Sequence, residues 1–180
     1  MKAVVDIETD SLNAKEIYCI VAKKYDTGET RQWVQGECGE FREWSKRIDT
    51  FIMHNGISFD APVLNRLTGS DIRLDQIRDT LIESQLYNPV RDGGHSLEAW
   101  GKTLGFEKGD FHDFAHYSPE MLEYCKRDTE VTRLVAQKLE VEGKQFKPKA
   151  YELECKVRAI IDKQQKNGFA FRSEEHTSEL

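Results

Sequence analysis

Hydrophobic positions come in short runs over the first third of the chain and at helical spacing afterwards. Residues 2–7 are almost continuously apolar and predict a buried strand. That strand ends in Asp6-Ile7-Glu8-Thr9. Because side chains alternate on a strand, Asp6 and Glu8 should leave the same face, roughly 6 to 7 Å apart. Residues 10–13 predict a turn, and residues 16–25 a second strand with Ile17, Cys19 and Val21 on one face and Tyr18, Ile20 and Ala22 on the other. Residues 26–29 have the composition of a hairpin turn, after which Thr30–Val34 returns as a third strand. Phe41, Trp44 and Ile48 recur at helical spacing within residues 39–48, and Thr50–Met53 is a short fourth strand. Three antiparallel strands followed by a helix and a strand predict a mixed sheet in an α/β domain.

The second part reads mainly as helix. His54-Asn55-Gly56-Ile57-Ser58-Phe59-Asp60 is a Gly-containing loop leading into a helix with Pro62 in its first turn. Phe59, Val63 and Leu67 follow one helix face, so Asp60 points elsewhere, either as a helix-start acid favoured by the dipole or as a metal ligand. Residues 75–86 predict another helix, ended by Asn88-Pro89, and residues 91–94 a loop. Leu97, Trp100 and Leu104 form the buried stripe of the next helix, preceded by His95 as a structural or capping residue. Residues 108–117 carry Phe111, His112, Phe114, His116 and Tyr117, an aromatic and polar loop that either faces substrate or packs over the core. Ser118-Pro119-Glu120 is a strong helix start, and the helix should run to about Glu142. Tyr124 and Asp128, four residues apart, share a face of it, either for hydrogen bonding between helices or for use in a site. Residues 143–148 read as a linker. Residues 149–167 form a last helix whose apolar residues, Leu153, Val157, Ile160 and Ile161, have little to pack on, as at the start of a further domain.

At 180 residues the chain suits one well-packed domain. No apolar run approaches the length of a membrane span and no signal peptide opens the chain, so a cytoplasmic (phage or bacterial) location without membrane contact is expected. The four cysteines are scattered with no Cys-x-x-Cys pair, which speaks against a zinc knuckle and for reduced thiols. A net charge of −6 argues against broad phosphate binding, but an acidic metal site contributes negatives that its ions neutralise. Residues 172–180 have no periodicity and resemble the in-frame translation of a sequencing-adapter oligonucleotide. They are set aside as an artefact tail, and the natural chain is expected to continue past Phe171.

Two acids on a core strand repel one another, and burial adds to the cost of their charge. A divalent cation is the simplest remedy, and oxygen ligands favour Mg²⁺ or Mn²⁺ over zinc. Acids that merely reach solvent at a strand end, or cap the next helix, are the alternative.

The order of motifs bears on that choice. Asp6-Ile-Glu-Thr-Asp-Ser-Leu12, His54-Asn-Gly-Ile-Ser-Phe-Asp60, His95-Ser-Leu-Glu-Ala-Trp-Gly101 and Tyr124-Cys-Lys-Arg-Asp128 resemble the DEDDy 3′→5′ proofreading exonuclease domain of phage family A (Pol I-type) DNA polymerases. The resemblance covers about residues 1–171. It implies a ribonuclease H-like mixed five-stranded sheet flanked by helices, with residues 1–145 as exonuclease domain and 146–171 as the start of a polymerase domain whose fingers, palm and thumb are missing. It implies Asp6, Glu8, Asp60, Asp128 and Tyr124 as the catalytic set, the four carboxylates holding two Mg²⁺ or Mn²⁺ ions and Tyr124 orienting the attacking water. Thr9, Leu12, Asn55 and Phe59 would contact the substrate, a single-stranded or frayed DNA 3′ end. The polymerase domain would be the partner within the intact protein, and any processivity factor stays unspecified. A ribonuclease D-like RNA-trimming exonuclease and an inactive nucleic-acid-binding remnant are the competing readings.

Overall fold

The computed structural model describes residues 1–106, 111 and 113–170. The strands are β1 (Lys2–Thr9), β2 (Ile17–Lys24), β3 (Thr30–Val34), β4 (Thr50–Met53) and β5 (Ile77–Asp79), joined into one sheet of order β3-β2-β1-β4-β5. β1 pairs antiparallel with β2, and β2 with β3; β4 lies parallel to both β1 and β5. The helices are α1 (Phe41–Ser45), α2 (Asp60–Thr68), α3 (Thr80–Tyr87), α4 (Leu97–Thr103), α5 (Pro119–Glu142) and α6 (Pro148–Asn167). This is the mixed five-stranded sheet expected from the sequence. Among the described residues no helix is long and apolar enough to cross a membrane.

The period-two alternation of β1 divides the core between the two sides of the sheet. Ala3, Val5 and Ile7 pack with Phe41, Trp44, Ala61, Leu64 and Cys155, from α1, α2 and α6. On the other side Val4 packs with Ala136 of α5, and Cys19 and Val21 pack with Met121, Leu122 and Cys125 of the same helix. Asp6 and Glu8 belong by alternation to the α5 side, and the Cys125 thiol lies 3.3 Å from Asp6 Oδ2. β1 pairs with β4 only through Val4↔Ile52, whereas its pairing with β2 continues to Thr9. Both acids therefore lie beyond the end of the parallel pairing, where chain leaves the sheet and room for ligands opens.

Several local expectations are revised. Residues 75–86 are not one helix: a 3₁₀ turn at Leu74–Gln76 leads into β5, and α3 begins only at Thr80. A three-residue strand is too short to show alternation, and it is made by pairing with β4 rather than by its own pattern. Within residues 39–48 only Phe41–Ser45 is α-helical, after a 3₁₀ stretch at Gln35–Glu40. The faces of β2 also differ from strict alternation at its start. The register slips between Glu8 and Thr9, so that Ile17 joins Ile20 and Ala22 while Tyr18 joins Cys19 and Val21. An extra residue in one strand of an antiparallel pair produces this exchange.

The final helix is better anchored than its most apolar residues suggested. Tyr151, Cys155 and Ala159, at helical spacing, pack on the main core, while Leu153 and Ile160 stand more than half exposed. The residue-143–148 linker contains a short 3₁₀ turn at Gly143–Gln145. His95 has the structural role expected of it: its Nδ1 lies 2.8 Å from Ser84 Oγ, which also accepts the Trp100 indole N–H. His112 and the 172–180 tail lie outside the described residues.

Candidate active site

The four acids reach the site from three elements. Asp6 and Glu8 come from the free end of β1, Asp60 from the first position of α2, and Asp128 from the middle of α5. Asp60 and Asp128 are buried, whereas Asp6 and Glu8 are half-buried. Asp10 shapes the turn that follows β1, its carboxylate accepting the backbone N–H groups of Lys15 at 2.8 Å and Glu16 at 3.0 Å.

The electrostatics identify Asp6 as the centre. Burial, then the charges of Asp60, Glu8 and Asp128, push its carboxyl well above the usual range, only partly offset by the Cys125 thiol. Burial drives Asp60 up to about 7, against a bond from the backbone N–H of Ile7 and with the Asp79 charge adding to the rise. Four carboxylates thus converge at the end of β1, and the described groups bearing on Asp6 are three other acids and a thiol. Such a set favours protons or hard cations. Asp6, Glu8 and Cys125 have ligand atoms within 4.8 Å of one another.

Tyr124 lies on α5 one turn before Asp128. Its ring packs with Phe111 (centroids 5.6 Å) and Phe114 (5.9 Å), so these two rings cover Tyr124 on α5. Thr9 donates its hydroxyl to the carbonyl of Ser11 at 3.0 Å, and Leu12 projects into solvent, 91% exposed. Phe59 is partly buried against the main core, and Asn55 is half-buried in the loop after β4.

That loop is held by a residue that sequence reasoning passed over. Asp79, 1% exposed, accepts the backbone N–H groups of Asn55 at 3.0 Å and Ile57 at 3.1 Å while capping α3 through Leu81 N–H at 3.0 Å. The cap was recognisable in Asp79-Thr80, but only with the boundary between β5 and α3 known. Cys125 was hidden between two expected site residues. Arg158, which donates to Ser58 Oγ and Asn55 Oδ1, gives no local signal, since it lies 103 residues from Asn55.

The loop's backbone is equally constrained. Asn55 has φ 66°, a left-handed conformation that Asn tolerates better than most residues. A Cβ on Gly56 would fall 2.3 Å from Met53 Cβ, a contact that demands movement of β4 or of the loop. Gly56→Ala is therefore expected to destabilise the protein by about 2 kcal/mol, within the range for overpacking. Thermal denaturation checks this; an unchanged melting temperature would show that the loop is not pressed against Met53.

The sheet order and the flanking helices define a domain of ribonuclease H-like fold. In sequence the chain is similar to phage DNA polymerases. It is 25% identical to the DNA-directed DNA polymerase of Enterobacteria phage T3, over 93% of this chain and 33% of the relative, and 24% identical to that of Escherichia phage T7 over the same shares. The chain thus spans about a third of the length of the curated relatives it matches. No protein-family model matches it. Among solved structures it is similar to Brucella melitensis NrnC with bound Mg²⁺ (TM-score 0.65, 22% identity, 98% of this chain and 90% of that one). It is also similar in fold to Phi29 DNA polymerase complexed with primer-template DNA (TM-score 0.56, 16% identity, 96% of this chain and 37% of that one).

Proposed function

We propose that this chain is a two-metal-ion 3′→5′ exonuclease of the DEDDy class, removing nucleotides from single-stranded or frayed DNA 3′ ends as the proofreading part of a phage-type DNA polymerase. The observation that carries this reading is the convergence of Asp6, Glu8, Asp60 and Asp128 from three separate elements, with Asp6 raised by burial and by the charges of the other three. Relatives described as DNA-directed DNA polymerases support DNA over RNA as substrate. NrnC, similar in fold, is described with bound Mg²⁺.

The donor set fits hard divalent ions, because its carboxylates are crowded enough to be unfavourable without a compensating charge. Mg²⁺ or Mn²⁺ would be held by Asp6 between both positions, by Glu8 and Asp128 at the one nearer the attacking water, and by Asp60 at the other. When bound, two such ions supply activation of the water, charge compensation at phosphorus and stabilisation of the departing 3′ oxygen. Tyr124 contributes position: an ordinary phenol titrates near about 10, so its hydroxyl orients the water by hydrogen bonding rather than by deprotonating it. Thr9, Leu12, Asn55 and Phe59 would guide the terminal nucleotides. Apolar and stacking contacts suit an editing activity because they are indifferent to base identity. Residues 1–145 would form the exonuclease unit, with polymerase sequence following from residue 146, and a cytoplasmic site of action accords with DNA replication.

The test compares 3′-labelled DNA and RNA strands of one sequence, with Mg²⁺ and with chelator. Metal-dependent release of labelled mononucleotide from the DNA strand, faster than from RNA, is expected. Preferential trimming of RNA would replace this reading with an RNA-processing one, and release of neither would leave a strand-binding remnant.

A further inference from the structure

The loop at residues 54–58 is gripped from two sides, and both grips lead to α6. From below, Asp79 fixes the backbone N–H groups of Asn55 and Ile57, while its own N–H is taken by the Tyr151 hydroxyl at 2.5 Å. From the other side Arg158 donates from Nε to Ser58 Oγ at 2.7 Å and from Nη2 to Asn55 Oδ1 at 3.0 Å. Asp162, one turn further along α6, steadies the guanidinium with an oxygen 3.3 Å from Nε.

A guanidinium only donates. The Asn55 atom facing Arg158 must then be the carbonyl oxygen, which turns both Nδ2 hydrogens the other way. Among the described residues no protein acceptor takes Asn55 Nδ2. The left-handed backbone at Asn55 and the close fit of Gly56 over Met53 prevent the residue from turning as a whole. A half-buried amide donor is thereby held in one orientation at the loop that leads into α2 and Asp60.

We infer that Arg158 is a positioning residue that turns the Asn55 amide so that Nδ2 donates to an acceptor on the entering single strand, a phosphate oxygen or a base carbonyl. This rests on the exonuclease reading of the acid site. It also makes α6 part of the strand-binding surface of the nuclease, although α6 lies beyond the expected boundary at residue 145. Arg158 thus works through Asn55, and its guanidinium is occupied by protein acceptors rather than offered as a phosphate clamp.

The test is a double-mutant cycle read as binding of a fluorescent single-stranded DNA in Ca²⁺, with KM and kcat in Mg²⁺ alongside. Arg158→Ala and Asn55→Ala are each expected to weaken binding by about tenfold, and the double variant by no more than either alone, because the two residues act as one unit. The loss should appear in KM, with kcat at saturating strand little changed. Asn55→Asp separates positioning from structure: it keeps an acceptor for Arg158, so its melting temperature should match or exceed wild type, yet it has no donor and should bind at least as weakly as Asn55→Ala. Losses that multiply to about a hundredfold in the double variant would overturn the inference. So would wild-type binding by Asn55→Asp. Binding is read without cleavage, so failure of the exonuclease reading appears instead as wild-type protein that releases no 3′ nucleotide.

Discussion

Asp6→Ala is expected to lower release of 3′ mononucleotides by about 10³-fold or more, near the detection limit, while leaving the protein folded. The size follows from its position. Asp60, Glu8 and Asp128 all act electrostatically on Asp6, and the resemblance to proofreading exonucleases implies that it would be the carboxylate shared by both cations. Removing it takes away more than a quarter of the site's charge effect, because neither ion keeps its full ligand set. The same repulsion predicts the opposite effect on stability. Without metal, Asp6→Asn or Asp128→Asn should raise the melting temperature by relieving the crowding of like charges. Rate and melting temperature thus move in opposite directions, which a merely misfolded variant would not reproduce. An Asp6→Ala enzyme working at the wild-type rate would sink the two-ion mechanism.

In metal-free protein, stability is expected to fall as pH rises from about 4 to about 7, by up to about 4 kcal/mol from Asp60 alone. The direction is unusual for carboxylates. Asp60 titrates near about 7 in the folded chain, and an unfolded Asp near about 4. Between those values the folded state holds more protons than the unfolded state, so raising the pH favours unfolding. Asp6 and Asp79 are shifted upward by burial and carry the same sign. Asp10, Glu29 and Glu43 are lowered by hydrogen bonds and a nearby Lys, and Glu130 by Lys23 and Arg133 against its own desolvation. Their contribution is lost only as pH falls below the ordinary carboxylate range, outside the interval in question. Melting curves in chelator from about pH 5 to about pH 8 should therefore descend, and the same series in excess Mg²⁺ should flatten, since ions that bind only the folded state replace the protons. A melting temperature that climbs with pH in chelator would show that the acids are not repelling one another.

The sequence by itself determined the strands with enough alternation to identify themselves, β1 to β4, and the long helix α5 with its Ser118-Pro119 start. It also placed Asp6 with Glu8 on one strand face and Tyr124 with Asp128 on one helix face, by local geometry alone. Only the tertiary structure decided what depends on contacts between distant segments. β5 exists because β4 offers an edge, not because Ile77-Arg78-Asp79 insists on being a strand. The slip beside Glu8 moved Ile17 and Tyr18 to opposite faces, and strand pairing sets that. The convergence of the four acids, spread from residue 6 to residue 128, is a product of the sheet order. So is the reach of Arg158 to Asn55, 103 residues away, for which no local pattern in the chain gives a sign.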